Sequence, residues 1–242
     1  MSVARPLAAR AAPRLRAMAC LLLAVLLCAL PVRAAEPIAR DDPENLLRQA
    51  TTQLLDVAKQ ARDYAKDDPE RYYAAVKEVL DQVLDMHYFA RGVMATYASA
   101  RLYKSLQSDE ERAAFRDRVE RFVSAIERVF MVKYADALLT FAGERIDVES
   151  LPSDRPDHAS VQQTIYDEHG ESYVVQYSLH QAKEGGWLIY NVIVEGVNLG
   201  QIYRNQFAEA VEKHGGDPDF VVDHWVELMM GDGEAAGEES SQ

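Results

Sequence analysis

Residues 186–207, GWLIYNVIVEGVNLGQIYRNQF, change their period in mid-course and so constrain the fold more than any other stretch. Read as a strand, Trp187, Ile189 and Ile193 project to one side, and Leu188, Tyr190, Val192 and Val194 to the other. Both sides then need shelter from water. A strand apolar on two faces is usual in parallel sheets roofed by helices, but the strand-helix alternation that builds such a sheet is missing from this sequence. The second face therefore needs another cover, either more protein or an apolar ligand. Beyond Glu195-Gly196, Leu199, Tyr203, Phe207 and Val211 recur at helical spacing and predict a helix from about Asn198 to His214, stopped by Gly215-Gly216.

The preceding chain reads as helices. Asp42-Pro43-Glu44 and Asp68-Pro69-Glu70 each place an acceptor, a proline and an acid where a helix begins. They predict two antiparallel helices with apolar stripes at Leu47, Ala50, Leu54 and Val57 and at Tyr73, Val76, Leu80 and Val83. A third helix is expected from about Met86 to Tyr103. Ser108 and Glu111 form a capping box that opens the longest helix, with Phe115, Val119, Phe122 and Ile126 along one side and Gly143 as its stop. Roughly 33 residues at 1.5 Å each would span about 50 Å, so a bend is expected.

From Arg145 the period is two. Short strands at 146–148, 160–167 and 172–180, together with the strand of the opening stretch, predict a meander of about four antiparallel strands. Asp217-Pro218-Asp219 starts a last helix running through Trp225 to Met230, and residues 231–242 read as a disordered acidic tail. Helices, then strands, then helices is an α+β order.

Residues 1–34 read as a signal peptide: four arginines precede the apolar run Ala17 to Leu30, and a cleavage site follows Ala34. The run is short of the roughly 20 apolar residues of a membrane span. Both cysteines, Cys20 and Cys28, lie inside it, so disulfide, thiolate-metal and cysteine-nucleophile chemistry leave with it. The formal charge of −13 falls to −18 once the leader's five arginines are removed. Such acidity argues against nucleic acid as a partner and against unaided adsorption or stable insertion into an anionic membrane.

Signatures of known chemistry are missing from the sequence: it contains no GxSxG, HExxH, P-loop, GxGxxG or EF-hand loop. Asp154, Asp157 and His158 are a weak metal constellation on a turn, and Asp81, Asp85 and His87 a weak acid-base one on a helix end. Both read as solvated polar residues, no catalytic residue or metal ligand is assigned, and the chain is not expected to be an enzyme. His180 is expected to be exposed. Glu195 stands where it either caps the next helix or forms a polar gate to a cavity. Tyr97, Tyr134, Tyr177, Tyr190 and Tyr203 fall on or beside apolar stripes, where a ring with a polar tip suits a core edge or a pocket wall equally.

The run Trp187, Tyr190, Val192, Glu195-Gly196-Val197, Leu199, Tyr203-Arg204 and Phe207, with Tyr134-Ala135-Asp136 before a glycine, resembles the signature of the toluene-tolerance, or MlaC, family of periplasmic phospholipid-binding proteins. The likeness covers roughly residues 40–230 in element order, and residues 35–230 form the expected lipid-binding domain. Asn191 replaces a frequent aspartate and Asn198 a usual serine, and residues 93–97 match loosely. The resemblance implies a soluble, monomeric periplasmic carrier with phospholipid as cargo and no cofactor. Its implied partners are an inner-membrane ABC transporter complex and an outer-membrane lipoprotein complex, and its role is to keep the outer membrane's lipid asymmetric. The alternative is a periplasmic interaction or assembly protein without lipid. On the carrier reading Tyr97, Tyr134, Val175, Tyr177, Tyr190, Val192, Val194, Val197 and Leu199 line the lipid cavity. Two acyl chains of roughly 15 methylenes cost about 24 kcal/mol in water, at about 0.8 kcal/mol each, so a carrier must enclose nearly all of both.

Overall fold

The computed structural model describes residues 36–141, 143 and 145–235. The expected signal peptide lies outside the described residues, as does the end of the acidic tail, whose first residues continue the last helix to Ala235.

Helices α1 (Pro43–Ala61) and α2 (Pro69–Val83) start where the sequence predicts. The Asp42 carboxylate accepts the Asn45 N–H at 2.7 Å and that of Asp68 the Arg71 N–H at 3.2 Å, each with proline in the first turn. The expected third helix is interrupted. Helix α3 (Met86–Met94) stops at Ala95, whose φ of +49° leaves the helical region, and a 3-10 turn (Ala95–Ala98) leads to α4 (Ala100–Ser105). Ser99 causes the restart: its hydroxyl accepts the Leu102 N–H, offering the backbone a cap in place of a continuous helix.

Helix α5 (Asp109–Leu139) opens with the predicted capping box, both halves formed. It ends at Thr140, short of Gly143, and buries Phe115, Val119, Phe122, Ile126 and Val129. Five strands follow, paired antiparallel in sequence order: β1 (Arg145–Leu151), β2 (His158–Tyr166), β3 (Ser172–Gln181), β4 (Trp187–Val194) and β5 (Val197–Asn198). The fifth strand, beyond the four expected, is two residues long. It is made by the turn at Glu195 and Gly196, whose φ values of +49° and +79° are those of a tight hairpin that glycine tolerates best. Helix α6 (Leu199–Lys213) leaves β5 directly. The last predicted helix is broken at His224 into α7 (Pro218–Asp223) and α8 (Trp225–Ala235).

The strand that dominated the sequence is not evenly two-sided. Ser178 lies opposite Asn191 and Leu179 opposite Ile189, so Tyr190 is an extra residue without a partner. Such a bulge reverses the alternation. Ile189 and Val192, assigned to opposite faces by simple counting, therefore share one face with Leu179 and Tyr177, and all four belong to the core cluster that α1 and α2 cover. The same cluster includes Trp187, Val148 and Val161. A counting rule that assumes an unbroken pleat fails there because the extra residue is set by pairing with β3, which periodicity does not record.

Candidate functional site

Between this sheet face and the helices lies a cavity of about 210 Å³. Leu47, Ala50 and Leu54 of α1, Leu80 and Val83 of α2, Met86 and Phe89 of α3 and Phe130 of α5 form its helical side; Ile189 and Val192 supply the sheet side and Leu199 the start of α6. The walls are apolar for a simple reason: each element turns its inward stripe to the same space. Leu84 forms a parallel bridge with Ile189, and the Asp85 N–H donates to the Ile189 carbonyl at 2.8 Å, so the α2–α3 junction is fastened to the edge of β4.

One end of the cavity is polar. Gln163 on β2 is 4% exposed and the buried polar side chain among the described residues. The Tyr177 hydroxyl donates to Gln163 Oε1 at 2.9 Å, and Gln163 Nε2 donates to Thr51 Oγ1 at 2.7 Å. Thr51 and Tyr177 both border the cavity, and burial pushes the Tyr177 hydroxyl up to about 12. At another border, the Tyr134 hydroxyl meets that of Tyr203 at 2.9 Å; the Tyr134 side is half exposed while Tyr203 is buried, which raises the Tyr203 pKa, first through burial and then through Tyr134.

Of the nine residues expected at a lipid cavity, Tyr134, Tyr177, Tyr190, Val192 and Leu199 border this one. The Tyr190 ring, however, packs in an aromatic group with Tyr88 (4.9 Å between centroids), His180 (5.6 Å) and His158 (5.9 Å). Tyr97 packs on Phe207 in the helical core, Val175 pairs across the sheet with Val194, and neither borders the cavity. Val194 and Val197 are 36% and 49% exposed, because the hairpin turn carries them beyond the helices.

Glu195 neither caps α6 nor gates the cavity. Its carboxylate accepts the Val174 N–H while its own N–H donates to the Val174 carbonyl at 2.9 Å, so it pins the hairpin to β3. The helix cap is Asn198, which accepts the Gln201 N–H at 3.0 Å, and Asn191 accepts the Gly200 N–H at 3.2 Å. Both asparagines thus act through an acceptor oxygen at the start of α6, a role that serine or aspartate oxygens are equally able to fill. A Cβ at Gly200 would sit 2.6 Å from Asn191 Oδ1, so any larger residue there would displace the Asn191 amide from its bond to the residue 200 N–H.

His180 is not exposed as its polar neighbours suggested. Its side chain is 15% exposed and its Nε2 lies 3.0 Å from Asp85 Oδ2, a long-range contact that strand alternation does not reveal. Asp85 is thereby separated from the constellation drawn with Asp81 and His87: Asp81 pairs with Lys77 at 2.6 Å and His87 faces Glu120 at 3.6 Å. Asp157 pairs with Arg155 at 3.0 Å and His158 at 3.2 Å, and no cluster of three or more potential metal ligands occurs among the described residues. No helix among the described residues is long and apolar enough to cross a membrane. The sequence reading missed Thr51 and Gln163, whose signal was a polar residue at a period-two inward position of β2 and another on the apolar stripe of α1.

The model of the MlaC protein family matches residues 48–227. The toluene tolerance protein ttg2D of Pseudomonas putida is 31% identical over 204 residues, covering 84% of this chain and 87% of that protein. The intermembrane phospholipid transport system binding protein MlaC of Haemophilus influenzae is 23% identical over 183 residues, covering 74% of this chain and 79% of its own. Among solved structures, a phospholipid-binding protein from Ralstonia solanacearum, in complex with a phospholipid, superposes with a TM-score of 0.61 at 18% identity, over 78% of this chain and 97% of that one, and so shares the α+β fold. With its helices, antiparallel meander and returning helices in the expected order, the chain belongs to the MlaC family.

Proposed function

We propose that the protein is a soluble periplasmic phospholipid carrier that moves lipid between the outer membrane and an inner-membrane ABC transporter complex, and so maintains outer-membrane lipid asymmetry. The observation that carries this reading is the apolar cavity enclosed between the sheet and the helices. It is the space an acyl chain needs to escape water, and the names of the relatives as phospholipid-binding and transport proteins agree with it. Acyl chains contact Tyr134, Tyr177, Val192 and Leu199, with Tyr190 at the border. The protein acts without a cofactor, as a monomer, and docks with an outer-membrane lipoprotein complex at one end of its path.

At about 210 Å³ the cavity is smaller than the roughly 300–1,000 Å³ of ordinary ligand pockets, so a diacyl lipid requires its walls to separate. The small volume is also what favours the second reading, an assembly protein whose cavity carries no lipid. Native mass spectrometry of the purified protein separates the two. The carrier shows adduct masses that organic extraction removes and identifies as phospholipid, and added phospholipid raises its unfolding temperature. Protein that stays empty, with an unfolding temperature indifferent to lipid, overturns the carrier reading and leaves the assembly protein.

A further inference from the structure

The polar end of the cavity holds more hydrogen-bond donors than it uses. Thr51 and Tyr177 each carry one hydroxyl proton, and Gln163 carries two amide protons and one carbonyl oxygen. In the arrangement described, Tyr177 donates to the Gln163 carbonyl and the Gln163 amide donates to Thr51, which leaves the Thr51 proton and the second Gln163 amide proton without an acceptor among the described residues. The neighbouring Thr52 shows the usual remedy: its hydroxyl donates back to the Arg48 carbonyl at 2.9 Å, one turn earlier, a bond that Thr51 does not make. Turning the amide over reverses both contacts and leaves the Tyr177 proton unused instead. In either orientation a hydroxyl proton remains, and both hydroxyl residues border the cavity.

The other polar side chains of the walls do not bond Thr51: Asn191 Oδ1 accepts the Gly200 N–H, the Tyr134 hydroxyl is paired with that of Tyr203, and the Tyr190 ring packs with Tyr88, His158 and His180. Thr51 and Tyr177 are partly exposed, so an apolar chain that fills the cavity would strip their hydroxyls of solvent, and a donor left that way without a partner is costly; the site therefore favours a ligand that brings an acceptor. That acceptor has to be uncharged, because an ionised group would lose its hydration against Leu47, Leu54 and Val83. Two lipid oxygens are neutral, accept without donating and are attached to a long apolar chain, the acyl ester carbonyl and the alkyl ether; the carbonyl, with its exposed and more negative oxygen, is the stronger acceptor.

We propose that Thr51, Gln163 and Tyr177 form a subsite for the ester carbonyl of an acyl chain, so that the cavity distinguishes acyl esters from alkyl ethers. The inference rests on the carrier reading and assigns chemical selectivity to its cavity. A resident water is the competing partner for the spare proton, and it would give no such selectivity.

The test uses the purified full-chain protein, stripped of lipid and incubated with vesicles containing equal amounts of ester-linked and ether-linked phosphatidylglycerol of matched chain length. The ratio of the two bound lipids is read by native mass spectrometry. A single net hydrogen bond corresponds to a preference for the ester of roughly three- to tenfold. Replacing the group by Thr51→Val, Gln163→Leu and Tyr177→Phe together brings the ratio to about one, whatever the total loading. Equal binding of the two lipids by the unaltered protein, which needs no variant to fold, overturns the inference and leaves the carrier intact. A preference that survives in the triple variant also overturns it. Binding of neither lipid removes the carrier reading, and this one with it.

Discussion

The interior around Phe122 is solid and the interior around Ile189 is hollow, although both are built from apolar side chains and both are touched by the α3 region. Phe122 meets Phe207 and Trp225 edge to face, at 4.9 and 5.2 Å between centroids, and Tyr203 joins the same group at 6.3 Å from Trp225. Large rings from three helices interlock and leave no exposed surface on Phe122 or Trp225. On the sheet side Ala50, Val83 and Val192 line a gap together with larger side chains such as Leu47, Phe89 and Phe130, and together they do not close it. A cavity in this fold is thus a matter of how side chains meet, with apolar character common to both regions.

Truncation at the solid end gives the largest expected effect. Phe122→Ala removes a ring from a packed group and should cost about 3–5 kcal/mol in urea unfolding; a loss below about 1 kcal/mol would show that the two interiors do not differ in this way. Matched enlargements sharpen the contrast. Ala90→Leu, at a fully buried position of the helical cluster, should destabilise by about 1–3 kcal/mol, whereas Ala50→Leu at the cavity wall should cost less than about 1 kcal/mol. Ala50→Leu should also lower the phospholipid bound after incubation with vesicles, and unchanged binding would remove Ala50 from the lipid path.

The solid end is also tied by charge. Asp219 at the start of α7 receives Arg118 at 2.5 Å and Arg121 at 2.8 Å, and these bonds, Arg118 foremost, hold its carboxyl below the usual range. A depressed carboxyl pKa stabilises the fold above the ordinary aspartate value, and that contribution fades as pH falls through the lowered one. Asp219 is 43% exposed, so solvent limits the effect to less than about 1 kcal/mol. The stability gap between the protein and Asp219→Asn, followed by thermal unfolding from neutral to acid pH, should close below about pH 4. A gap independent of pH would assign the residue a packing role. The smallest expected change is at the hairpin: Val197→Glu, on a half-exposed side chain, should alter stability by no more than about 0.5 kcal/mol and leave lipid binding as it was. Reduced binding would return Val197 to the cavity, where its place in the signature had put it.

What the amino-acid sequence revealed and what it hid follow a physical division. Asp42, Asp68, Ser108 and Asp217 announced their helices because a cap is local, made between residues two or three apart. The partnership of His180 with Asp85, 95 positions distant, and that of Gln163 with Thr51, 112 distant, are products of the assembled fold. The cavity residues divide in the same way. Leu199, singled out through its motif, and Tyr134 and Tyr177, singled out through their stripes, border the cavity, whereas Val194 and Val197 are exposed beside the tight turn at Glu195. Tyr97 was assigned to the wall by residue type, and Phe207 claims it for the packed core.

The unpaired residue at Tyr190 gives β4 a phase shift. Upstream of it odd-numbered positions such as Ile189 face inward, and downstream even-numbered ones such as Val192 do. The bulge is therefore under tighter constraint than the identity of any one residue beside it. An unbroken two-residue beat at the present length would turn one half of the strand inside out, presenting either Ile189 or Val192 to the side on which His158 and His180 now meet Tyr190, whereas removal of Tyr190 itself would leave Ile189 and Val192 two residues apart and both inward. The cavity wall is continuous because the strand passes two residues where its neighbour passes one.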